Sequence, residues 1–158
     1  MSGTDHIVVQ PARAADIADV RQMLREYVEW IGLDLAFQEI DTELSSLPGD
    51  YAPPRGALFV ATDHGRSVAM IALRPLDGSI AEMKRLYVRP EARGRGLARA
   101  LIARVCQQAR ELGYSEIRLD TLPNMSDAQA LYEGLGFADI APYYDTPIAG
   151  TRFMARKL

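Results

Sequence analysis

The chain has 158 residues, 48% of them hydrophobic, which fits one folded domain with a buried core. Its formal net charge of -3 argues against a nucleic-acid-binding protein, because such proteins are usually basic. The single cysteine excludes an internal disulfide framework and fits a reducing compartment. No apolar run reaches the roughly 18 residues of a membrane span, and no signal peptide is visible. We therefore expect one cytoplasmic domain covering residues 1–158.

The first part of the chain predicts a strand, two helices and a loop. Residues 7–11 are short and β-branched, which is typical of a strand. Apolar residues then recur with helical spacing between Asp16, the expected cap, and Gly32, which ends the helix. A second helical pattern covers residues 34–46. The prolines and glycines of residues 47–56 predict a loop.

The remaining elements predict a mixed α/β sheet. Three apolar runs separated by short turns are most simply an antiparallel meander, and they cover residues 57–62, 67–75 and 80–88. The later elements are a long helix (97–113), a strand (114–122), a short helix (126–136) and two strands (136–140 and 151–158). The predicted order is β-α-α-β-β-β-α-β-α-β-β, in which helices connect strands of one sheet.

The turn that precedes the long helix carries the most informative pattern. Gly94 and Gly96 lie where a strand passes into this helix, whose first amides have no internal partner and whose dipole is positive there. Glycine also lets a ligand approach the backbone closely. Only Glu91 opposes the nearby basic residues, which are Lys84, Arg85, Arg89, Arg93, Arg95 and Arg99. This combination predicts a pyrophosphate site rather than a solvated basic face.

The turn differs from two common phosphate-binding motifs. It lacks the Gly-Lys-Ser/Thr ending of a P-loop, and Arg99 stands where a dinucleotide fingerprint requires a third glycine. An antiparallel meander before the turn also disagrees with a βαβ unit. The residues themselves therefore indicate a phosphate-bearing ligand without naming it.

Two segments resemble the GNAT superfamily of N-acetyltransferases. Residues 93–98 (RGRGLA) match its Arg/Gln-x-x-Gly-x-Gly/Ala signature, and residues 130–137 (ALYEGLGF) are similar to its Leu-Tyr-x-x-x-Gly-Phe segment. The order of strands and helices also agrees over nearly the whole chain. The resemblance implies a GNAT-like fold and direct transfer of acetyl from acetyl-CoA, in a ternary complex, to a primary amine of an amino-acid-like small molecule or a peptide.

The resemblance also implies which residues bind acetyl-CoA. Backbone amides of the turn would hold the pyrophosphate, and they belong to Arg93, Gly94, Arg95, Gly96, Leu97, Ala98 and Arg99. The preceding strand would pair with the pantetheine arm through Leu86, Tyr87 and Val88, and the family separates this strand from the next at a bulge. Many members carry an asparagine before the last motif helix. Here Met125 occupies that position, and Asn124, one residue away, is the expected contact.

Acetyl transfer requires a base, an oxyanion donor and an acid. Glu82 is the expected base, because resembling enzymes use a glutamate on this strand and a carboxylate in an apolar run is costly to bury. The alternative is a salt bridge to Lys84 or Arg85. Tyr132, beside the apolar stripe of its helix, is the expected acid for the thiolate, and the alternative is a packing tyrosine. The resemblance also implies that the Val88 N–H stabilises the oxyanion.

The acceptor site is expected between the first two helices, the 47–56 loop and the loop near the C-terminus. The candidate wall residues are Trp30, Phe37, Tyr51, Tyr143 and Tyr144. Arg74, Lys84 and Arg85 could bind a carboxylate, which favours amino-acid-like acceptors. The alternative is that these cations serve the cofactor phosphates or face solvent.

The remaining expectations concern metals, partners and rival functions. His6 and His64 show no ligand spacing with carboxylates or with Cys106, so the sequence predicts no metal, and Cys106 is expected to pack in the core. We expect no nucleic-acid or membrane partner, while dimers among resembling proteins make a homodimer an open expectation. Two rival functions are a non-catalytic acyl-CoA-binding regulatory module and a binder of another phosphate-bearing ligand.

Overall fold

A computed structural model describes residues 6–33 and 39–158, and these form a seven-stranded mixed sheet covered by helices. The strands are β1 (Ile7–Pro11), β2 (Ala57–Asp63), β3 (Arg66–Asp77), β4 (Ile80–Val88), β5 (Glu116–Thr121), β6 (Ala138–Asp139) and β7 (Arg152–Lys157). The helices are α1 (Ile17–Ile31), α2 (Ile40–Ser46), α3 (Leu97–Glu111) and α4 (Ser126–Gly134). The predicted order of elements is confirmed. Within these residues, no helix is long and apolar enough to cross a membrane.

The sheet order is β1-β2-β3-β4-β5-β7-β6, and the predicted meander of β2, β3 and β4 is antiparallel. Successive side chains of a strand point to opposite faces of the sheet. Consecutive residues of β2 and β3 are buried, so both faces of these strands are covered. Phe59 and Ala61 join the core cluster that includes α3, whereas Leu58 and Val60 join the cluster that includes α1. The sheet is therefore packed between two helical layers.

The ends of α1 show one confirmed and one wrong expectation. Gly32 ends the helix in a left-handed conformation at φ 68°, as predicted. Asp16 makes no side-chain capping bond to α1, because its carboxylate instead accepts the Arg13 N–H at 2.7 Å and closes the preceding turn. In the described residues α2 begins at Ile40, and the predicted start of this helix, with Phe37, lies outside them.

A bulge in β4 positions the candidate site. Tyr87 pairs with Met70 and Lys84 pairs with Ala72, so one residue of β3 faces Arg85 and Leu86 together. Arg85 lies at φ 61°, a left-handed conformation that is unusual for any residue other than glycine. This extra residue bends β4 next to the strand that follows it in the sheet.

Candidate active site

A cleft opens between β4 and β5 where the two strands separate. They pair in parallel only from Ile80 to Glu82, opposite Glu116 to Arg118, and diverge beyond that point. The cleft, called here the β4–β5 cleft, is lined by Tyr27, Met83, Lys84, Arg85, Leu86, Asp120, Thr121, Leu122, Met125 and Tyr132. Divergence exposes the edge of β4, and an exposed strand edge can bind an extended ligand through its backbone.

The Val88 N–H points toward the open side of β4. Arg89 donates its N–H to the Val68 carbonyl at 2.8 Å. Because backbone bonds alternate along an antiparallel pair, the neighbouring Val88 N–H must point away from β3. On that same side, the Val88 carbonyl accepts a bond from Arg93 Nε at 3.0 Å. The structure thus leaves this amide directed at the cleft.

The turn before α3 presents a run of amides. Gly94 and Gly96 have φ values of 80° and 76°, and a Cβ on either glycine would meet no described atom within 4 Å. The first backbone bond at this end of α3 runs from Ala100 N–H to the Gly96 carbonyl at 3.1 Å. The amides of residues 94–99 make no backbone bond to any described residue. This glycine turn is therefore an open, electropositive cradle for an anion.

Glu82 is buried with both carboxylate oxygens hydrogen-bonded. Its side chain is 2% exposed, Oε1 accepts Arg74 Nε at 2.8 Å, and Oε2 accepts the Tyr143 hydroxyl at 2.6 Å. Burial and the adjacent Glu82 charge raise the pKa of Tyr143, so this hydroxyl keeps its proton at neutral pH. The expected alternative was a salt bridge from Glu82 to Lys84 or Arg85. This expectation is wrong, because Arg74 lies directly opposite Glu82 in the pairing of β3 with β4 and forms the salt bridge instead.

Asp120 of β5 resembles Glu82 in its surroundings, since it also contacts one cation and one tyrosine hydroxyl. One oxygen accepts Lys84 Nζ at 3.3 Å, and the other accepts the Tyr144 hydroxyl. Burial raises the pKa of Asp120, but the Lys84 charge and the Tyr144 bond outweigh it, so the pKa lies below the usual value. Asp120 was not among the site residues predicted from the sequence. The signal that could have found it is the one used for Glu82, an acidic residue inside an apolar strand.

Tyr143 and Tyr144 thus bring one loop, residues 140–151, onto two buried carboxylates. This segment is called here the tyrosine loop. Both rings also pack edge-on against Phe153 of β7, with centroids 5.1 Å apart in each case. Two hydroxyl bonds and two aromatic contacts therefore fix the loop beside the cleft.

A pocket beside Glu82 contains most of the residues expected to bind the acceptor. This acceptor pocket is lined by Glu39, Arg74, Leu76, Glu82, Lys84, Arg85, Tyr143, Tyr144, Asp145 and Pro147. Tyr51 is buried and lines the neighbouring pocket instead. Arg74 uses only Nε for Glu82, and its terminal nitrogens bond to no residue in the described ranges. Arg74 therefore has donors left for a ligand.

Tyr132 lies deeper than its expected position. It is the most buried residue of α4, whereas Ala128, Leu131 and Leu135 of the predicted stripe are only partly buried. The ring packs against Phe137 with centroids 5.8 Å apart and lines the β4–β5 cleft. Burial raises the pKa of Tyr132, so the hydroxyl is protonated at neutral pH.

Comparison with known proteins identifies the family. The model of the acetyltransferase (GNAT) family matches residues 17–137, a range that contains the cleft, the glycine turn and Tyr132. The chain belongs to the GNAT family. It is an acetyltransferase with the mixed α/β fold of that family.

Relatives across distant organisms support the assignment to the GNAT family. An uncharacterized N-acetyltransferase of Schizosaccharomyces pombe is 41% identical over 141 residues, covering 88% of this chain and 86% of the relative. The uncharacterized N-acetyltransferase YjgM of Escherichia coli is 36% identical over 124 residues, covering 77% and 73%. The crystal structure of the PaiA N-acetyltransferase of Thermoplasma acidophilum, in complex with coenzyme A, superposes with a TM-score of 0.76 at 20% identity, covering 100% of both chains.

The bulged residue of this GNAT protein is held by a buried ion pair. Arg85 donates from Nε and Nη2 to the two carboxylate oxygens of Glu43 on α2, each at 2.9 Å. Burial lowers the pKa of the Arg85 guanidinium, but the bonds to Glu43 outweigh it, so the pKa is raised. The ion pair with Glu43 explains why a buried cation is present at this position even when no substrate is bound. A role of Arg85 in binding the acceptor stays a prediction.

Loss of Glu43 is expected to destabilise the GNAT fold. Glu43→Gln removes the charge that compensates Arg85, whose side chain is 4% exposed, and breaking a buried pair costs roughly 3–5 kcal/mol. The expected result is a lower denaturation midpoint in urea, with Glu29→Gln on the surface of α1 as the matched control. A midpoint equal to that of the wild type would contradict the proposed role of this ion pair in holding the bulge.

Trp30 and Asn124 occupy positions that differ from their expected surroundings. Trp30 is half exposed, and its ring lies under the Arg93 guanidinium at 4.9 Å, next to the glycine turn; it does not line the acceptor pocket. Asn124 donates its amide to the Ile31 carbonyl at 2.9 Å and so tethers the end of α1. Roles of Trp30 in acceptor binding and of Asn124 in cofactor binding stay predictions.

Cys106 lies in the core on α3 and is 1% exposed. Burial raises the pKa of its thiol, so the thiolate is disfavoured.

His6 and His64 lie together at one corner of the sheet. His6 and His64 were expected to lack a ligand-spaced carboxylate, and this expectation is wrong, because pairing of β1 with β2 brings both imidazoles to Asp63.

Proposed function

We propose that this protein transfers the acetyl group of acetyl-CoA directly to the primary amine of an amino-acid-like small molecule or a peptide. The observation that carries the proposal is the separation of β4 from β5 beside the glycine turn. The exposed edge of β4 lies between Glu82, which is on β4, and the glycine turn with its unpaired amides, which follows β4. The coenzyme A complex of PaiA, which shares the fold, adds support for acetyl-CoA as the cosubstrate.

The glycine turn suits the pyrophosphate of the cosubstrate. Its amides at residues 94–99 lack backbone partners among the described residues, and the space beside Gly94 and Gly96 is open. In the proposed complex, side chains of Arg93, Arg95 and Arg99 add positive charge around these amides. The backbone of Leu86 to Val88 pairs with the extended pantetheine arm along the free edge of β4.

Glu82 is proposed as the base that receives the proton of the acceptor. An amine such as that of lysine has a pKa of about 10.4 and is mostly protonated at neutral pH, so a base increases the reactive fraction. Tyr143 already donates its hydroxyl hydrogen bond to Glu82. The hydroxyl oxygen of Tyr143 can therefore take a proton from the ammonium group while the hydroxyl proton of Tyr143 passes to Glu82. The free amine then attacks the thioester carbonyl.

Val88 and Tyr132 are proposed to complete the transfer. The Val88 N–H points into the cleft and can donate to the oxyanion that forms at the thioester carbonyl. When the carbon–sulfur bond breaks, the thiolate takes the hydroxyl proton of Tyr132. The raised pKa of Tyr132 keeps this proton available at neutral pH.

Direct attack is favoured over an acetylated cysteine intermediate. Cys106 is the single cysteine of the chain, and it is buried in the core on α3 rather than in the cleft. Initial rates measured while both substrates vary should therefore give intersecting double-reciprocal lines. Parallel lines would indicate a covalent intermediate and would contradict the ternary complex.

The acceptor pocket supports an amino-acid-like acceptor. The two terminal nitrogens of Arg74 can form a bidentate contact with the carboxylate of an acceptor. The amine of the same molecule can then approach Tyr143 and Glu82. Free amino acids and their carboxamides form a matched set of acceptors. We expect each carboxamide to have a KM at least about tenfold higher, since it loses a charge-assisted interaction. Equal KM values would contradict recognition of a carboxylate.

Release of free thiol tests the proposed reaction. Acetyl-CoA is incubated with a panel of amino acids, their carboxamides, polyamines and short peptides, and thiol is followed with a chromogenic disulfide. Thiol release that depends on an amine supports the proposal. Saturable binding of acetyl-CoA without turnover on any acceptor would instead support a regulatory acyl-CoA-binding module.

Tyr132→Phe tests the acid. The substitution removes one hydroxyl and keeps the ring that packs on Phe137. We expect kcat to fall about 100-fold, within the usual range for a general acid, while the Kd for acetyl-CoA changes little. Tyr114→Phe is the matched control, because Tyr114 is also buried but donates to the Arg55 carbonyl at 2.8 Å, outside the cleft. An unchanged kcat in Tyr132→Phe would remove Tyr132 from the reaction.

A further inference from the structure

We propose that His6, Asp63 and His64 form a binding site for one divalent transition-metal ion, with Zn²⁺ as the reference ion. One ligand atom from each residue lies within 4.8 Å of the other two. Two imidazoles and a carboxylate are a common ligand set for zinc. This site stands apart from the acetyl-transfer reaction, and it does not depend on the proposed function.

Strand pairing explains why these residues meet. Ile7 pairs with Asp63 across β1 and β2, which brings His6, at the start of β1, to the end of β2. His64 directly follows Asp63 in the turn between β2 and β3. The two imidazole rings lie 3.8 Å apart between centroids. Residues far apart in the sequence thus converge at one corner of the sheet.

The unusual backbone of His64 keeps its side chain in the cluster. His64 and Gly65 have φ values of 52° and 84°, which belong to a tight hairpin turn with two left-handed residues. Asparagine and glycine are preferred at such positions, and histidine also adopts a positive φ more often than most residues do. The turn therefore accommodates His64 directly next to Asp63.

Asp63 provides an oxygen that accepts no well-aligned hydrogen bond from the described residues. Oδ1 is buried and accepts no hydrogen bond with acceptable geometry, although His64 Nδ1 lies 2.9 Å and His6 Nε2 lies 3.5 Å away. Two ligands of a tetrahedral zinc ion, each bound at about 2.1 Å, are about 3.4 Å apart. The two separations from Asp63 lie on either side of this value, and the third, between the two imidazoles, is at most 4.8 Å.

Arg95 holds the other carboxylate oxygen of Asp63. Its Nη1 donates to Oδ2 at 2.9 Å and leaves Oδ1 to the histidines. Such an outer contact to a ligating carboxylate is typical of protein metal sites. It also links the proposed site to the glycine turn, where Arg95 lies.

Zinc titration of the full untagged chain, freed of metal by a chelator, tests the site. The sequence contains two histidines, both in the cluster, so every imidazole signal in an NMR spectrum reports on it. We expect calorimetry to give one Zn²⁺ per chain, and both pairs of imidazole signals to shift together up to one equivalent. Absence of heat together with unmoved imidazole signals at a tenfold excess of Zn²⁺ would overturn the proposal, as would a shift of one histidine alone.

Two substitutions and a control separate ligation from nonspecific binding. His64→Asn keeps a turn residue suited to positive φ and removes an imidazole, and His6→Gln removes the other. Each should weaken Zn²⁺ binding at least tenfold without lowering the thermal midpoint. Glu91→Gln removes an exposed carboxylate that pairs with Arg66 at 2.9 Å, outside the cluster, and should leave affinity unchanged. Wild-type affinity in His64→Asn would overturn the assignment.

Discussion

Gly96→Ala is expected to weaken binding of acetyl-CoA by roughly 10–100-fold with a modest loss of stability. The added methyl group meets no described protein atom, but it enters the space in which we place the pyrophosphate. Interference with one or two charge-assisted amide bonds costs about 1.5–3 kcal/mol, which corresponds to this range of affinity. Calorimetric titration measures the Kd, and a thermal melt measures stability.

Gly113→Ala is the matched control for this substitution. Gly113 also has a positive φ, 89°, and a Cβ there would likewise meet no described atom within 4 Å. Both substitutions therefore carry a similar backbone strain of about 1–2 kcal/mol, but Gly113 lies at the opposite end of α3 from the glycine turn. Equal Kd values for acetyl-CoA in the two variants would contradict a pyrophosphate site at the glycine turn.

Glu82→Gln is expected to lower kcat/KM by about 100–1000-fold at neutral pH, because the acceptor loses its base. Glutamine keeps the size of the side chain and an oxygen for Arg74, so the fold and the Kd for acetyl-CoA should change little. The loss should shrink above about pH 10, where solvent deprotonates an alkyl amine without help. Steady-state rates measured from pH 6 to pH 10.5 test this shape, and a constant ratio of the two enzymes would exclude Glu82 as the base.

The adjacent tyrosines provide an internal comparison for the proton path. Tyr143→Phe removes the hydroxyl bonded to Glu82, whereas Tyr144→Phe removes the one bonded to Asp120. Both rings make the same edge-on contact with Phe153, so the loss of packing is matched. We expect Tyr143→Phe to approach the defect of Glu82→Gln, and Tyr144→Phe to retain more activity. The reverse order would argue against a proton path through Tyr143.

The order of elements could be predicted because hydrophobic periodicity and glycine positions depend on local sequence. The resemblance to the GNAT family implied a bulge in β4, but its position could not be predicted, since a single extra residue leaves the apolar pattern of residues 80–88 almost unchanged. Its distinguishing feature is Arg85 at φ 61°, and arginine carries no sequence signal for that conformation. The contact that holds it, from Glu43, joins residues 42 positions apart.

The same distinction between local sequence and distant contacts applies to the candidate site residues. Glu82 and Tyr132 were identified from residue type and motif, whereas their surroundings depend on pairing between distant segments. Neighbours along the chain suggested Lys84 or Arg85 as the partner of Glu82, but the antiparallel register selects Arg74. The same limit hid the approach of His6 to Asp63, which only the pairing of β1 with β2 reveals.

The attachment of the tyrosine loop has a consequence for how acceptors are selected. Lifting the loop would withdraw a donor from Glu82 and another from Asp120 at once, at a cost of about 1–3 kcal/mol for each buried acid. Molecules with the loop lifted would then be a small minority. The loop therefore forms a preformed wall of the acceptor pocket and does not move to admit a ligand. Acceptors that differ in bulk should consequently be sorted by steric fit, and exchange of this segment between homologues should transfer their preferences.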